Sequence, residues 1–132
     1  MKKIILKIVV LAIALVAFTT MSNAQSVSVC GQIIVYDSCS GTTGTYTADF
    51  VVYLLGTSYC LYPATINSSS TWTNFNWTCS GLRCDSALPS YYIKVHVVSD
   101  QNSSCTGNGV FGPVHYYELC SFSANKIIVT LH

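Results

Sequence analysis

Charge is nearly absent from the body of this chain. Three of its six basic residues, Lys2, Lys3 and Lys7, lie in the first seven positions. The segment Gln25–His132 keeps Arg83, Lys94 and Lys126 against Asp37, Asp49, Asp85, Asp100 and Glu118, and three positive against five negative leaves a formal −2. Ordinary globular chains are roughly a quarter charged. With so few cations no basic patch can neutralise phosphates, so nucleic-acid binding is excluded. Low charge also means little repulsion between copies, which opens the way to self-association.

Other absences narrow the chemistry further. No Gly-x-Ser-x-Gly elbow occurs, and no cysteine stands beside a histidine that could activate it. His96, His115 and His132 are isolated from one another, and only Cys79 and Cys84 are near neighbours, at a spacing too loose for zinc. No metal or cofactor is therefore expected. The carboxylates are scattered over turns and outward strand positions, so the chain reads as non-catalytic. Helical spacing of apolar residues is missing from the whole of residues 25–132.

Residues 1–24 carry the pattern of an export signal. Lys2 and Lys3 precede an apolar run from Ile4 to Phe18 broken only by Lys7, and Ser22-Asn23-Ala24 offers small residues before a cut ahead of Gln25. The uninterrupted stretch Ile8–Phe18 is 11 residues long, short of the ~20 that span a bilayer. No cysteine follows Ala24 directly, so a lipid anchor is not expected. The reading is a signal peptide at 1–24, then one domain at 25–132, secreted to the cell exterior, periplasm or cell surface, without a membrane span.

Strand patterning fills that domain. Period-two alternation puts Val27, Val29, Ile33 and Val35 on one face of a first strand. Tyr46, Ala48, Phe50, Val52 and Leu54 point inward from a second, and Phe75, Trp77 and Cys79 from a third at Thr71–Cys79. Tyr91, Ile93, Val95 and Val97 belong to a fourth, and Ile127, Val129 and Leu131 to the last. Weaker strands are expected at Tyr59–Ile66 and Pro113–Cys120, with Ser99–Gly109 as the longest polar loop. About seven short strands in a domain of this size are the arithmetic of an all-β, antiparallel β-sandwich.

Seven cysteines, all beyond the leader, imply a disulfide framework with one thiol left over. Sequence spacing alone selects no arrangement of Cys30, Cys39, Cys60, Cys79, Cys84, Cys105 and Cys120. Proximity favours Cys79 with Cys84 and Cys105 with Cys120, leaving Cys30, Cys39 and Cys60 to share one bridge and the free thiol. That thiol is either buried and inert or a covalent attachment point.

Tyrosine is the enriched chemical group, with nine copies. Strand parity turns Tyr36, Tyr53, Tyr92 and Tyr117 outward, where aromatic rings can meet a protein or carbohydrate partner; high β-propensity explains the same residues without any partner. Asn67, Asn76 and Asn102 each open an Asn-x-Ser/Thr triplet and are candidate glycosylation sites.

The order of these features resembles the transthyretin-like, or carboxypeptidase regulatory-like, modules of prealbumin type. The resemblance runs over residues 27–98. It is carried by Val29-Cys-Gly-Gln-Ile-Ile-Val-Tyr-Asp37 with its embedded glycine, Phe50-Val-Val-Tyr-Leu-Leu55, Thr73-Asn-Phe-Asn-Trp-Thr-Cys-Ser-Gly-Leu82 and Tyr91-Tyr-Ile-Lys-Val95. Thr71-Trp-Thr-Asn74 stands where the family usually has an Asp-Gly turn. The resemblance implies a non-catalytic accessory or binding module. Two further expectations stand beside it: a self-associating matrix or adhesive component, and a secreted effector or inhibitor acting through disulfide-held loops.

Overall fold

Apolar side chains at every second position leave a strand only one way to hide them, which is against a second sheet. The computed structural model describes residues 24–39, 44–84 and 90–132; the expected export signal falls almost wholly outside the described residues. Seven strands run in chain order: β1 (Ala24–Asp37), β2 (Tyr46–Leu54), β3 (Thr57–Ile66), β4 (Thr73–Arg83), β5 (Tyr91–Ser99), β6 (Thr106–Val114) and β7 (Lys126–Leu131). They form a three-stranded sheet in the order β4-β1-β7 and a four-stranded sheet in the order β3-β2-β5-β6. The protein is thus the expected all-β sandwich. Its pairing is antiparallel except between β1 and β7, which run parallel.

The inner faces carry the alternating sets read from the sequence. Val29, Ile33, Val35, Tyr46, Ala48, Phe50, Val52, Ile93, Val97, Val129 and Leu131 are all essentially inaccessible. At the centre Phe50 lies 4.8 Å from Phe75 and 5.3 Å from Trp77, and Trp77 also stacks on Tyr62 at 5.0 Å. Aromatic pairs in such offset or tilted contacts contribute about 0.5–1.5 kcal/mol each beyond their burial. Gly31 sits in the inward row of β1 opposite Phe75, and a Cβ there would lie 2.5 Å from the Phe75 ring. The glycine embedded in the opening strand is a packing requirement.

Two expectations fail near the C-terminal half. The stretch Pro113–Cys120 is not a strand: β6 ends at Val114, and Tyr116–Glu118 forms a 3-10 turn. The Glu118 carboxylate accepts the His115 backbone N–H at 2.8 Å and the His115 ring at 3.0 Å, and this local bond winds the chain. The loop expected at Ser99–Gly109 is also shorter, because Thr106–Gly109 already belong to β6. There Gly107 lets the two sheets touch. A Cβ on Gly107 would strike the Thr130 carbonyl oxygen and come within 2.9 Å of Val129. The seam is sealed by backbone bonds, His132 N–H to the Thr106 oxygen at 3.1 Å and the reciprocal bond at 3.4 Å.

All three bridges differ from the proximity pairing. They are Cys30–Cys120, Cys39–Cys105 and Cys60–Cys79, and Cys84 holds the free thiol. Cys79, fully buried in the inward row of β4, is bonded to Cys60, and the half-buried Cys84 thiol lies 3.8 Å from the Leu82 carbonyl oxygen. Cys60 reaches Cys79 from a β-bulge, the one residue between Tyr59 and Leu61 that β2 leaves without a partner, with φ at 31°. This bridge clips the β3 edge to the β4 edge, opposite the β6–β7 seam. Cys30–Cys120 holds the connection between β6 and β7 against β1. Asn125, buried, fixes the same connection by donating to the carbonyls of Cys30 and Glu118 at 3.1 and 2.9 Å.

Two outcomes follow. Replacing Cys60 and Cys79 together by serine should lower the stability to guanidinium by about 3 kcal/mol, from the loop of 19 residues they close, while Cys84→Ser should leave it within about 0.5 kcal/mol. Gly107→Ala should cost about 2–3 kcal/mol through overpacking at the seam; an unchanged denaturation midpoint would mean the sheets do not meet there.

Candidate binding face

The outer face of the four-stranded sheet is an ordered lattice, because strand register fixes which outward residues are neighbours. One row across the strands runs Pro63, Asp49, His96, Asn108, and the next runs Leu61, Val51, Lys94, Val110. A further row pairs Tyr53 with Tyr92. The strands β2, β5 and β6 thus bring an acid, an imidazole, an amide and an ammonium into adjacent positions among aliphatic side chains. The face continues over the seam onto β7, where Ile128 and Val110, both exposed, line the same groove. The resulting shallow groove encloses about 580 Å³, within the range of small-molecule sites.

Its polar groups are partly organised. The His96 ring nitrogen Nδ1 lies 2.9 Å from the Asn108 side-chain oxygen. Lys94 places its ammonium 4.4 Å from the centre of the Tyr53 ring, a cation–π contact. Serine, threonine and cysteine do not line the groove, so it offers no hydroxyl or thiol of those residues for acyl transfer. The groove offers a ligand two signs of charge, an amide and aliphatic side chains.

The four tyrosines singled out from parity do not share a surface. Tyr53 and Tyr92 are neighbours on this face, Tyr36 is exposed on β1 of the opposite sheet, and Tyr117 protrudes from the 3-10 turn. A single contiguous tyrosine patch is therefore ruled out: parity says which residues point out, but not from which sheet. His115 stacks on Tyr117 at 5.0 Å. Asn67 and Asn102 are exposed in loops, and Asn76 is outward on β4, so all three acceptor triplets lie away from the groove.

Sequence reasoning passed over Asp49, Lys94 and His96 as solvent-facing strand residues and placed Asn108 in a loop. The signal that could have found them is register, which no single sequence prints. One other cluster has the proximity of a metal centre: the ligand atoms of Asp37, Cys39 and Cys105 lie within 4.8 Å of one another. The two sulfurs are bonded to each other, however, and offer no thiolate. Asp37 instead accepts the Tyr46 hydroxyl at 3.0 Å and the Cys39 N–H at 2.9 Å. On the loop above, Asp100 accepts the hydroxyls of Thr45 and Thr47 at 2.7 and 2.8 Å, which hold its carboxyl below the usual range.

Among the described residues no helix is long and apolar enough to cross a membrane. No protein-family model, curated protein or solved structure matches the chain.

Two buried tyrosines set an alkaline limit. Burial, reinforced for Tyr46 by the Asp37 carboxylate, raises the phenol pKa of Tyr46; burial likewise raises that of Tyr91, whose hydroxyl donates to the Arg83 carbonyl at 2.8 Å. The fold thus favours the neutral phenols. Their stabilisation is complete below the unfolded value of 10.0 and is lost as pH rises through the higher folded values. Denaturant stability should be flat from about pH 7 to about pH 9 and fall above about pH 10, and Tyr46→Phe should make that fall shallower.

Proposed function

We propose that the chain is a secreted, non-catalytic binding module of the prealbumin type, and that it recognises its partner through the outer face of β3-β2-β5-β6. The observation that carries this reading is the groove itself, where polar and apolar side chains share one face of a hydrogen-bonded sheet. A site on strands is held more rigidly than one on loops. Three disulfides suit an oxidising compartment, which supports secretion. The prealbumin-type assignment rests on the resemblance over residues 27–98. Glycans on Asn67, Asn76 or Asn102 would leave the face uncovered.

A second reading, a secreted effector or inhibitor, rests on the connection between β6 and β7. Tyr117 and Phe122 protrude there, 62% and 42% exposed, on a segment tied down by Cys30–Cys120 and Asn125. Association through sheet edges has less support, because β3 is interrupted by the bulge at Cys60 and by Pro63 and is clipped to the β4 edge.

Attachment of fluorescently labelled protein to the cells and extracellular material of its source separates these readings. Val51→Arg with Val110→Arg changes two outward side chains and should keep the melting temperature, yet reduce attachment at least tenfold. Tyr117→Ala with Phe122→Ala should leave attachment intact. The reverse pattern would reject the sheet face and favour the tethered segment.

A further inference from the structure

The donor and acceptor pattern of the groove specifies more than a binding face. The contact between His96 Nδ1 and the Asn108 side-chain oxygen uses one polar group of each residue. Nε2 of the ring and the Asn108 NH2 group stay available to a ligand. Asp49, beside His96 in the register, accepts, and Lys94 in the next row donates. Asp49, His96 and Asn108 thus stand side by side in one row of the groove, while Val51 and Val110 flank Lys94 in the next and Ile128 extends that row onto β7.

Each class of ligand can be weighed against that pattern. A polyanion needs several cations, and among the described residues Lys94 is the only lysine or arginine lining the groove; Lys126 is engaged with Trp72 at 5.0 Å. A cation would meet Lys94, and a wholly apolar ligand would strip water from Asp49 and Lys94 without replacing it. An uncharged ligand rich in hydroxyls avoids all three penalties, because each hydroxyl both donates and accepts. A saccharide ring adds a face of C–H groups for the aliphatic side chains. Building on the reading of this sheet face as the binding surface, we infer that the groove takes a neutral saccharide, with Asp49, His96 and Asn108 on its hydroxyls and Val51, Val110 and Ile128 under its ring face.

The test uses the full mature protein and defined probes: insoluble β-glucan, chitin, mannan and galactan as neutral polysaccharides, with heparin as the anionic counterpart. At least one neutral polysaccharide should retain the protein and heparin should not. Asp49→Ala and Asn108→Ala should each weaken retention about tenfold or more, and Tyr36→Ala, on the opposite sheet, should leave it unchanged. Soluble fragments of the retaining polymer should shift the amide resonances of Asp49, Lys94, His96 and Asn108 in the unmutated protein, a readout independent of whether any variant folds. Retention by heparin alone, by none of the neutral polymers, or without dependence on Asp49 and Asn108 would overturn the saccharide assignment.

Digestion with a mixture of glucanase, chitinase, mannanase and galactanase separates this inference from the reading it rests on. Applied to the source material, it should abolish attachment, and protease treatment should not. Loss of attachment to protease alone, with the Val51→Arg, Val110→Arg variant still inactive, would leave the face standing and remove the saccharide. Attachment by that variant would remove the face as well.

Discussion

The close approach of β6 to β7 is the constraint on which the rest of the architecture turns. Two stacked sheets keep their backbones about 10 Å apart when ordinary side chains fill the gap. At Gly107 and Gly109 there are none, so β6 of one sheet settles onto β7 of the other and the backbones of Thr106 and His132 exchange hydrogen bonds. That closure holds the β6 edge of the four-stranded sheet against β7. It also carries Cys105, the residue just before β6, toward Cys39 at the end of β1, and it brings Val110 and Ile128 into one groove. The groove exists because the sandwich is sealed along this side.

The opposite side is held by covalent chemistry instead. Between β3 and β4 the sheets are joined by Cys60–Cys79 and by the stack of Tyr62 on Trp77. The bulge at Cys60 serves that bridge, since a regular strand would place successive side chains alternately in and out and would give no freedom to aim the sulfur. One side is thus closed by removing side chains and the other by adding a bond. The aromatic cluster of Phe50, Phe75 and Trp77 fills the space between them.

This division explains what the sequence disclosed and what it hid. Strands β2, β4, β5 and β7 announce themselves because their inward rows are unbroken runs of large apolar residues. Strand β6 reads as a loop because Thr106-Gly-Asn-Gly109 carries glycine where an inward side chain would be expected; the feature that lets it seal the sandwich is the one that erases its signature. The stretch Tyr116-Tyr-Glu118 has the opposite property, β-forming residues overruled by a local hydrogen bond from the His115 N–H. The bridges were illegible for a third reason. Cys30 and Cys120 are 90 residues apart in sequence yet neighbours across a parallel pairing, and parallel register depends on every intervening connection. The groove inherits the same limit. Its outward parity was visible strand by strand, while the neighbours of Asp49 and His96 depend on pairings that only the folded chain displays.

Sparse charge acquires a specific meaning once the fold is known. A surface built from Ser, Thr, Asn and Tyr is hydrated mainly through neutral groups, and such groups cost less to desolvate than ions do. On that background Asp49 and Lys94, at neighbouring positions across β2 and β5, are among the few places where a ligand would meet full charge, and they carry opposite signs. Their fields largely cancel at a distance, so neither draws in a highly charged partner from afar, as a single-sign patch would. Close in, each still makes a charge-assisted hydrogen bond, roughly twice as strong as a neutral one. Selection at this face therefore comes from the arrangement of donors and acceptors rather than from net charge, and that arrangement is fixed by strand register.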